Sequence, residues 1–178
     1  MDLKQKILTA SAEIIAESGV RALSFREVAR RAGVSHQAPY HHFGNHHGIL
    51  RALAQQGFAD LSARMAAAGA EASDPLAALE ESGRAYVLFA CERSGHFRVM
   101  FQHALVDIHD PEAPMVEAAL TFGTLVQFAE VAVERGYGGG LSVVELTRLA
   151  WSTAHGLAVL LAEGAMMSKP ELKDTTVS

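Results

Sequence analysis

The chain has 178 residues, 49% hydrophobic and 20% charged, with a formal net charge of −5. That composition excludes a disordered polymer and suffices for one good core, or for a small module joined to a larger one. A single cysteine, Cys91, excludes an internal disulfide and any zinc site built on paired cysteines. The polar start, Met1-Asp2-Leu3-Lys4, is unlike a secretory signal and points to a cytoplasmic protein. Charge is uneven: residues 1–50 hold six Lys/Arg against four Asp/Glu, and residues 51–178 hold nine against sixteen. A mildly basic front on an acidic body suits a small polyanion-binding module attached to something with another task.

Leu3, Ile7, Leu8, Ile14, Ile15 and Ser18 share one face at helical spacing and predict a first helix, ended by Gly19 as a left-handed residue. Ser24-Phe25-Arg26-Glu27 reads as a capping box, the hydroxyl accepting from the N3 amide and Glu27 reaching back. Phe25, Val28, Ala29 and Ala32 form the inward stripe of the second helix. Gly33 then makes a turn, Val34 is an apolar plug, and Ser35 is the expected N-cap of a short third helix. Asn45 is expected to cap a fourth helix carrying Ile49, Leu50, Leu53, Leu61 and Met65. Asp74-Pro75 opens the next, a cap followed by proline at N1, which runs through Tyr86, Val87 and Phe89 towards Arg93. Ser94-Gly95 is read as its break, and a shorter helix with Phe97, Met100 and Phe101 follows.

Asp110-Pro111-Glu112 opens a helix predicted to reach about Arg135. The loop Gly136-Tyr137-Gly138-Gly139-Gly140 lacks the Gly-Lys-Ser/Thr of a phosphate cradle and is a turn. Ser142-Val143-Val144-Glu145 is a second capping box, starting a last helix to about Gly164. The apolar run from Leu149 to Met167 is interrupted by Ser152, Thr153, His155 and Glu163, so no membrane span is expected. With no period-two alternation anywhere, the fold class is all-α.

Five histidines, His36, His41, His42, His46 and His47, fall between Val34 and Leu50. Two short helices joined by Ala32-Gly33-Val34 are the plan of a helix-turn-helix, whose second helix lies in the DNA major groove. Here that helix is His36-Gln37-Ala38-Pro39-Tyr40-His41-His42-Phe43. Gln37 can pair with adenine, Ala38 is small enough to touch a thymine methyl, and Tyr40 and His42 can donate to phosphates. A metal reading fits less well. His42 and His46 are four apart, but Gly44-Asn45 interrupts the helix between them, and the cluster holds no carboxylate or cysteine. No metal, cofactor or catalytic residue is expected.

The stretch LSFREVARRAGVSHQAPYHHFGNHHGIL, residues 23–50, resembles the DNA-binding domain of the TetR family of transcriptional regulators. The resemblance lies in a hydroxyl-capped helix, an Ala-Gly-Val-Ser turn, a Tyr-x-His-Phe and a fourth helix. RLAWSTAHGLAVLLAEG, with Trp151, His155 and Gly156, is similar to the C-terminal domain of a TetR subgroup bearing a Trp-x-x-x-His-Gly signature. The first resemblance implies that Gln37 and Ala38 face bases. It puts Ser24, Ser35, His36, Tyr40 and His42 near the backbone or groove edge, with Phe43 anchoring the third helix. One position departs: where the family usually has a lysine after Asn45, this chain has His46 and then His47. Phosphate binding there would weaken or depend on protonation, and His41 and His47 read as solvated neighbours.

The expected organisation is a helix-turn-helix domain over 1–48, a helical effector-binding and dimerisation domain over 49–167, and a polar tail over 168–178. The last helix is apolar nearly all round, which calls for burial on two sides. Family likeness implies a homodimer through the last two long helices, with Gly123 and Gly156 allowing close crossings. It also implies double-stranded DNA carrying an inverted-repeat operator as a partner, and a small lipophilic or aromatic effector that releases a repressor. Candidate pocket residues are Tyr86, Phe89, Cys91, Phe97, Met100, Phe101, His103, Phe122, Trp151 and His155. His103, Asp107, His109 and Asp110 read as a solvated connection. Two other readings are a helical dimeric interaction module that has lost DNA binding, and an all-helical enzyme.

Overall fold

The structure, a computed structural model, describes residues 2–102 and 115–164. Among these residues it is helical without strands, as the sequence predicts. Eight helices follow in order: α1 (Leu3–Ser18), α2 (Phe25–Ala32), α3 (Ala38–Phe43), α4 (His46–Ala70), α5 (Pro75–Glu92), α6 (Ser94–Met100), α7 (Met115–Glu134) and α8 (Val143–Ala162). They fall into two compact units. The first comprises the residues up to Asp60 together with Arg93–Leu120, and the second comprises Leu61–Glu92 together with the residues from Thr121 onward. The functional division expected at residue 48 falls inside the continuous helix α4, and α6 belongs to the first unit.

In the first unit, Ile7, Leu8, Ile14 and Ile15 of α1 pack with Phe25 and Val28 of α2, Ile49, Leu50 and Leu53 of α4, and Val99 of α6. Burying aliphatic side chains of this size stabilises the unit by roughly 1.5–3 kcal/mol each. The α1 terminus differs from expectation. Gly19 has the positive φ of 78° that favours glycine, but its ψ of 169° is extended rather than left-handed helical, and a 3-10 turn over Val20–Ala22 leads on to α2. Arg98 of α6 closes this end of α1, its Nη1 donating to the Ile15 and Ala16 carbonyls at 3.0 and 2.8 Å. Helix C-termini leave such carbonyls without intrahelical donors, and a guanidinium also suits the negative end of the dipole.

Gly95 is not the helix breaker read from the sequence. The interruption falls at Arg93, and Gly95 lies inside α6 against the backbone of Ala12, where a Cβ would run into the Ala12 carbonyl oxygen. Its role is close helix approach, which lets α6 lie on α1.

The second unit holds the later part of α4 with α5, α7 from Thr121, and α8. Asp74 starts α5 as expected, Oδ1 accepting from the Leu76 and Ala77 amides at 3.0 Å each. Both halves of the Ser142–Glu145 capping box are present on α8. The expected helix opening at Asp110-Pro111-Glu112, and the tail 168–178, lie outside the described residues. No helix among the described residues is long and apolar enough to cross a membrane.

Candidate nucleic-acid interface

The turn between α2 and α3 forms as the sequence requires. Gly33 adopts φ 64°, ψ 38°, the left-handed conformation that a side chain would strain, and its amide reaches back to α2. Val34 and Phe43 pack against the first unit's core from either side of α3. Ser24 caps α2, accepting from the Glu27 amide at 3.3 Å, but the reciprocal half of the expected box is absent. The Glu27 carboxylate turns instead to Arg30, at 2.7 and 2.8 Å, and to Arg31 at 3.1 Å, while Arg31 also grips Glu17 at 2.6 and 2.8 Å. Two charge-assisted partners outweigh one neutral amide. These guanidiniums hold the Glu27 carboxyl down at about 2, and Arg31 lowers that of Glu17.

Two expectations for α3 are corrected. Ser35 does not cap it: the helix begins at Ala38, after a turn in which the Ala38 amide bonds the Ser35 carbonyl at 3.0 Å. Pro39 in the first turn has the φ a helix needs and no amide to satisfy, so the start of α3 has less need of a side-chain cap. Ala38 does not face outward either. With Pro39 it forms the buried side of α3, and it belongs to the first unit's core. In a helix of six residues, one buried pair at the start decides which faces remain. Gln37, Tyr40, His41 and His42 are exposed.

The candidate residues gather around Phe25. Its ring meets Tyr40 edge-on at 4.4 Å and His46 at 4.6 Å, and His36 lies 6.2 Å from Tyr40. This packing fixes the Tyr40 ring while leaving the residue 47% exposed. Ser24 and His36 border one depression with Arg26 and Arg30. Both arginines are exposed residues of α2 that the sequence reading left out, although cations opposite the inward stripe Phe25-Val28-Ala29 are the signal that would have found them. His42 stands apart from this group, 5.3 Å from His41 and 6.4 Å from Phe43. Asn45 caps α4 as expected, its Oδ1 accepting from the Gly48 amide at 3.0 Å, which puts His46 and His47 at the first positions of that helix.

The candidate effector residues separate. Phe97, Met100 and Phe101 belong to the first unit, and Phe101 meets both Phe97 and Phe58 edge-on at 5.4 and 5.6 Å. Tyr86, Phe89, Phe122, Trp151 and His155 belong to the second, and Cys91, also there, is exposed rather than enclosed. His103, Asp107, His109 and Asp110 lie outside the described residues. Among the described residues no three His, Cys, Asp or Glu side chains converge. In the second unit the Tyr86 hydroxyl is 2.7 Å from His155 Nδ1, and the Trp151 ring lies 5.6 Å from His155 and 6.0 Å from Phe122. An apolar groove of about 550 Å3 runs between α5 and α8, lined by Leu76, Leu79, Gly83 and Val87 on one side and Leu146, Leu149, Ala150 and Leu157 on the other. It includes none of the expected pocket residues.

Within one chain α8 is poorly covered. Of its 20 residues only Thr147 and Ala158 are buried, while Val144, Leu149, Trp151 and Leu160 are exposed, as are Leu120, Phe122 and Val131 on α7. Gly123 and Gly156 have no atom within 4 Å of where a Cβ would stand.

Known proteins share this arrangement along nearly the whole chain. Residues 7–53 match the bacterial regulatory proteins of the tetR family, and residues 79–177 match the tetracyclin repressor-like C-terminal domain. The HTH-type transcriptional regulator YobS of Bacillus subtilis (strain 168) is 28% identical over 174 residues, 97% of this chain and 86% of that protein. A protein of unknown function from Rhodococcus sp. RHA1 is 30% identical, with a TM-score of 0.77 over 96% of this chain and 88% of that one. The TetR family transcriptional regulator PfmR from Thermus thermophilus is 27% identical, with a TM-score of 0.72 over 86% of this chain and 84% of its own. With a helix-turn-helix at the front, a matching helical body behind it and likeness over both, the chain belongs to the TetR family of transcriptional regulators.

Proposed function

We propose that the chain works as a homodimeric repressor that reads an inverted-repeat operator and releases it on binding a small lipophilic effector. The observation that carries this reading is the two-sidedness of α3. Ala38 and Pro39 are locked into the core while Gln37, Tyr40 and His42 stay exposed. A recognition helix needs that combination, because base contacts lose specificity if the helix can rock. Gln37 is the base-reading residue, Tyr40 and His36 meet the sugar-phosphate edge, and Arg26 adds a cation beside Ser24. Ala38 takes no part in base contact. The scarcity of buried residues on α8, with apolar side chains outward on α7 and α8, supports pairing of two copies through these helices. Two recognition helices about 34–36 Å apart would then match one turn of DNA.

Selection of bound sequences from a random duplex pool at near-physiological salt tests the reading. Enrichment of an inverted repeat is expected. On that repeat Gln37→Ala should cost about 1–3 kcal/mol and relax preference at one position of each half-site. No enrichment from folded, dimeric protein, or uniform weakening by Gln37→Ala on every sequence, would count against it.

A further inference from the structure

The interior faces of α5 and α8 carry polar atoms that the rest of the second unit does not use. Ser82 on α5 is fully buried and Thr147 on α8 is 2% exposed, and neither hydroxyl oxygen has a hydrogen-bond partner in the chain. Leaving a buried hydroxyl unsatisfied costs about 1–3 kcal/mol, so two in one small unit call for an explanation. Their positions are related. Ser82 lies four residues before Tyr86, one turn away on the same face of α5, and Thr147 lies four before Trp151 and eight before His155 on one face of α8. Gly83 neighbours Ala154 and Tyr86 neighbours His155, so the two helices run the same way. Both unpartnered hydroxyls therefore lie to the same side of the Tyr86–His155 bond.

That bond has a defined direction. The Trp151 indole, which can only donate, bonds the Tyr86 hydroxyl. Burial raises the Tyr86 phenol well above its ordinary value and lowers the His155 imidazole, which keeps both neutral near pH 7. Tyr86 then gives its proton to His155 Nδ1, and the imidazole carries its own on Nε2. No Lys, Arg, Asp or Glu occupies the faces that carry Ser82 and Tyr86 on α5, or Thr147, Trp151 and His155 on α8. Arg64 reaches the Phe89 ring, but its charge is matched by Glu92 at 2.6 Å.

We propose that Ser82 and Thr147, with the Tyr86–His155 pair, form the polar wall of a ligand site in the second unit that takes an uncharged lipophilic molecule bearing a hydroxyl or carbonyl oxygen. This rests on the reading of the chain as effector-responsive and names the effector's chemical class. The hydroxyls can each donate to and accept from such an oxygen, ending their own unsatisfied state. A carboxylate or ammonium would enter without a counter-charge and lose its hydration, which a low-dielectric interior does not repay.

Trp151 is the chain's sole tryptophan and reports directly on this wall. Its fluorescence in the full-length protein is followed while 1-decanol, decanoate and decylamine are titrated at pH 7.5. A saturable change with decanol, at least about ten-fold tighter than with either charged homologue, is expected. Ser82→Ala combined with Thr147→Val should weaken decanol by about ten-fold without lowering the melting temperature of the unliganded protein, because it removes orphaned atoms rather than bonds. Tighter binding of decanoate or decylamine, no saturable change with any probe, or unchanged decanol affinity in the double variant would overturn the proposal. Operator selection is independent: a protein that enriches an inverted repeat but ignores decanol loses only this site assignment.

Discussion

α1 and α8 are helices of similar length and apolar content, yet they meet opposite fates. α1 buries Ile7, Leu8, Ala10, Ser11, Ile14 and Ile15 within its own chain, sealed at its end by Arg98. α8 buries Thr147 and Ala158 and leaves Leu149 and Leu160 more than 45% exposed. The first unit is thus complete as a single chain, whereas the second has surface that only another molecule can cover. A regulator that must present a rigid recognition element while remaining adjustable behind it benefits from this asymmetry. Closure where shape has to be kept and an open face where a partner is due follow the same burial rule.

The contrast is broken most directly by cutting into α1. Ile15→Ala should cost roughly 2–5 kcal/mol in denaturant unfolding, because a fully buried side chain leaves a cavity that helices on three sides cannot collapse. A loss below about 1 kcal/mol would mean that the first unit is looser than its packing suggests. On α8 the expectation reverses. Leu149→Glu with Leu160→Glu should leave helical content intact yet weaken self-association by about 100-fold, roughly 2.7 kcal/mol, read by sedimentation velocity. An unchanged dimer would move the pairing surface elsewhere, and a chain that unfolds would show that α8 is needed within its own subunit.

The smallest effect concerns the ion pairs of α2. Glu27 titrates at about 2 in the folded chain against an ordinary 4.5, so its contribution to stability is present above pH 4.5 and is lost as pH falls towards 2. The melting temperature of Glu27→Gln should therefore lie below that of the parent at pH 6, with the gap closing by pH 2.5. A gap that stays constant over this range would mean that Glu27 acts through packing. Since the carboxylate is solvent-facing, the difference will be modest.

Features set by neighbouring residues were legible in the sequence. The caps at Asp74, Asn45 and Ser142 and the turn at Gly33 need only a side chain within four residues of the backbone it serves. Those that depend on distant segments were not. The contact of Gly95 with Ala12, and the reach of Arg98 to α1, join residues more than 80 positions apart, and a glycine beside a serine looks locally like a break. Ala38 was misread because a six-residue helix is too short to display a periodic face. Glu27 was half right: the hydroxyl end of its box is local, but Arg31 draws the carboxylate into a cluster that includes Glu17 of α1. Ser82 and Thr147 look like any small polar residue on a helix until their burial is known.

The Glu17, Glu27, Arg30 and Arg31 cluster also bears on how the chain would answer ionic strength. Six lysines and arginines precede residue 50, and a tally of cations would assign all of them to phosphates. Two are already matched by carboxylates within their own unit, which leaves Lys4, Lys6, Arg21 and Arg26 to displace counterions from DNA. Each neutralised phosphate adds about 0.9 to the slope of log affinity against log salt, so each protomer would contribute at most about 4. Grip on arbitrary DNA would then be weak, and discrimination would rest chiefly on the few side chains that α3 holds outward.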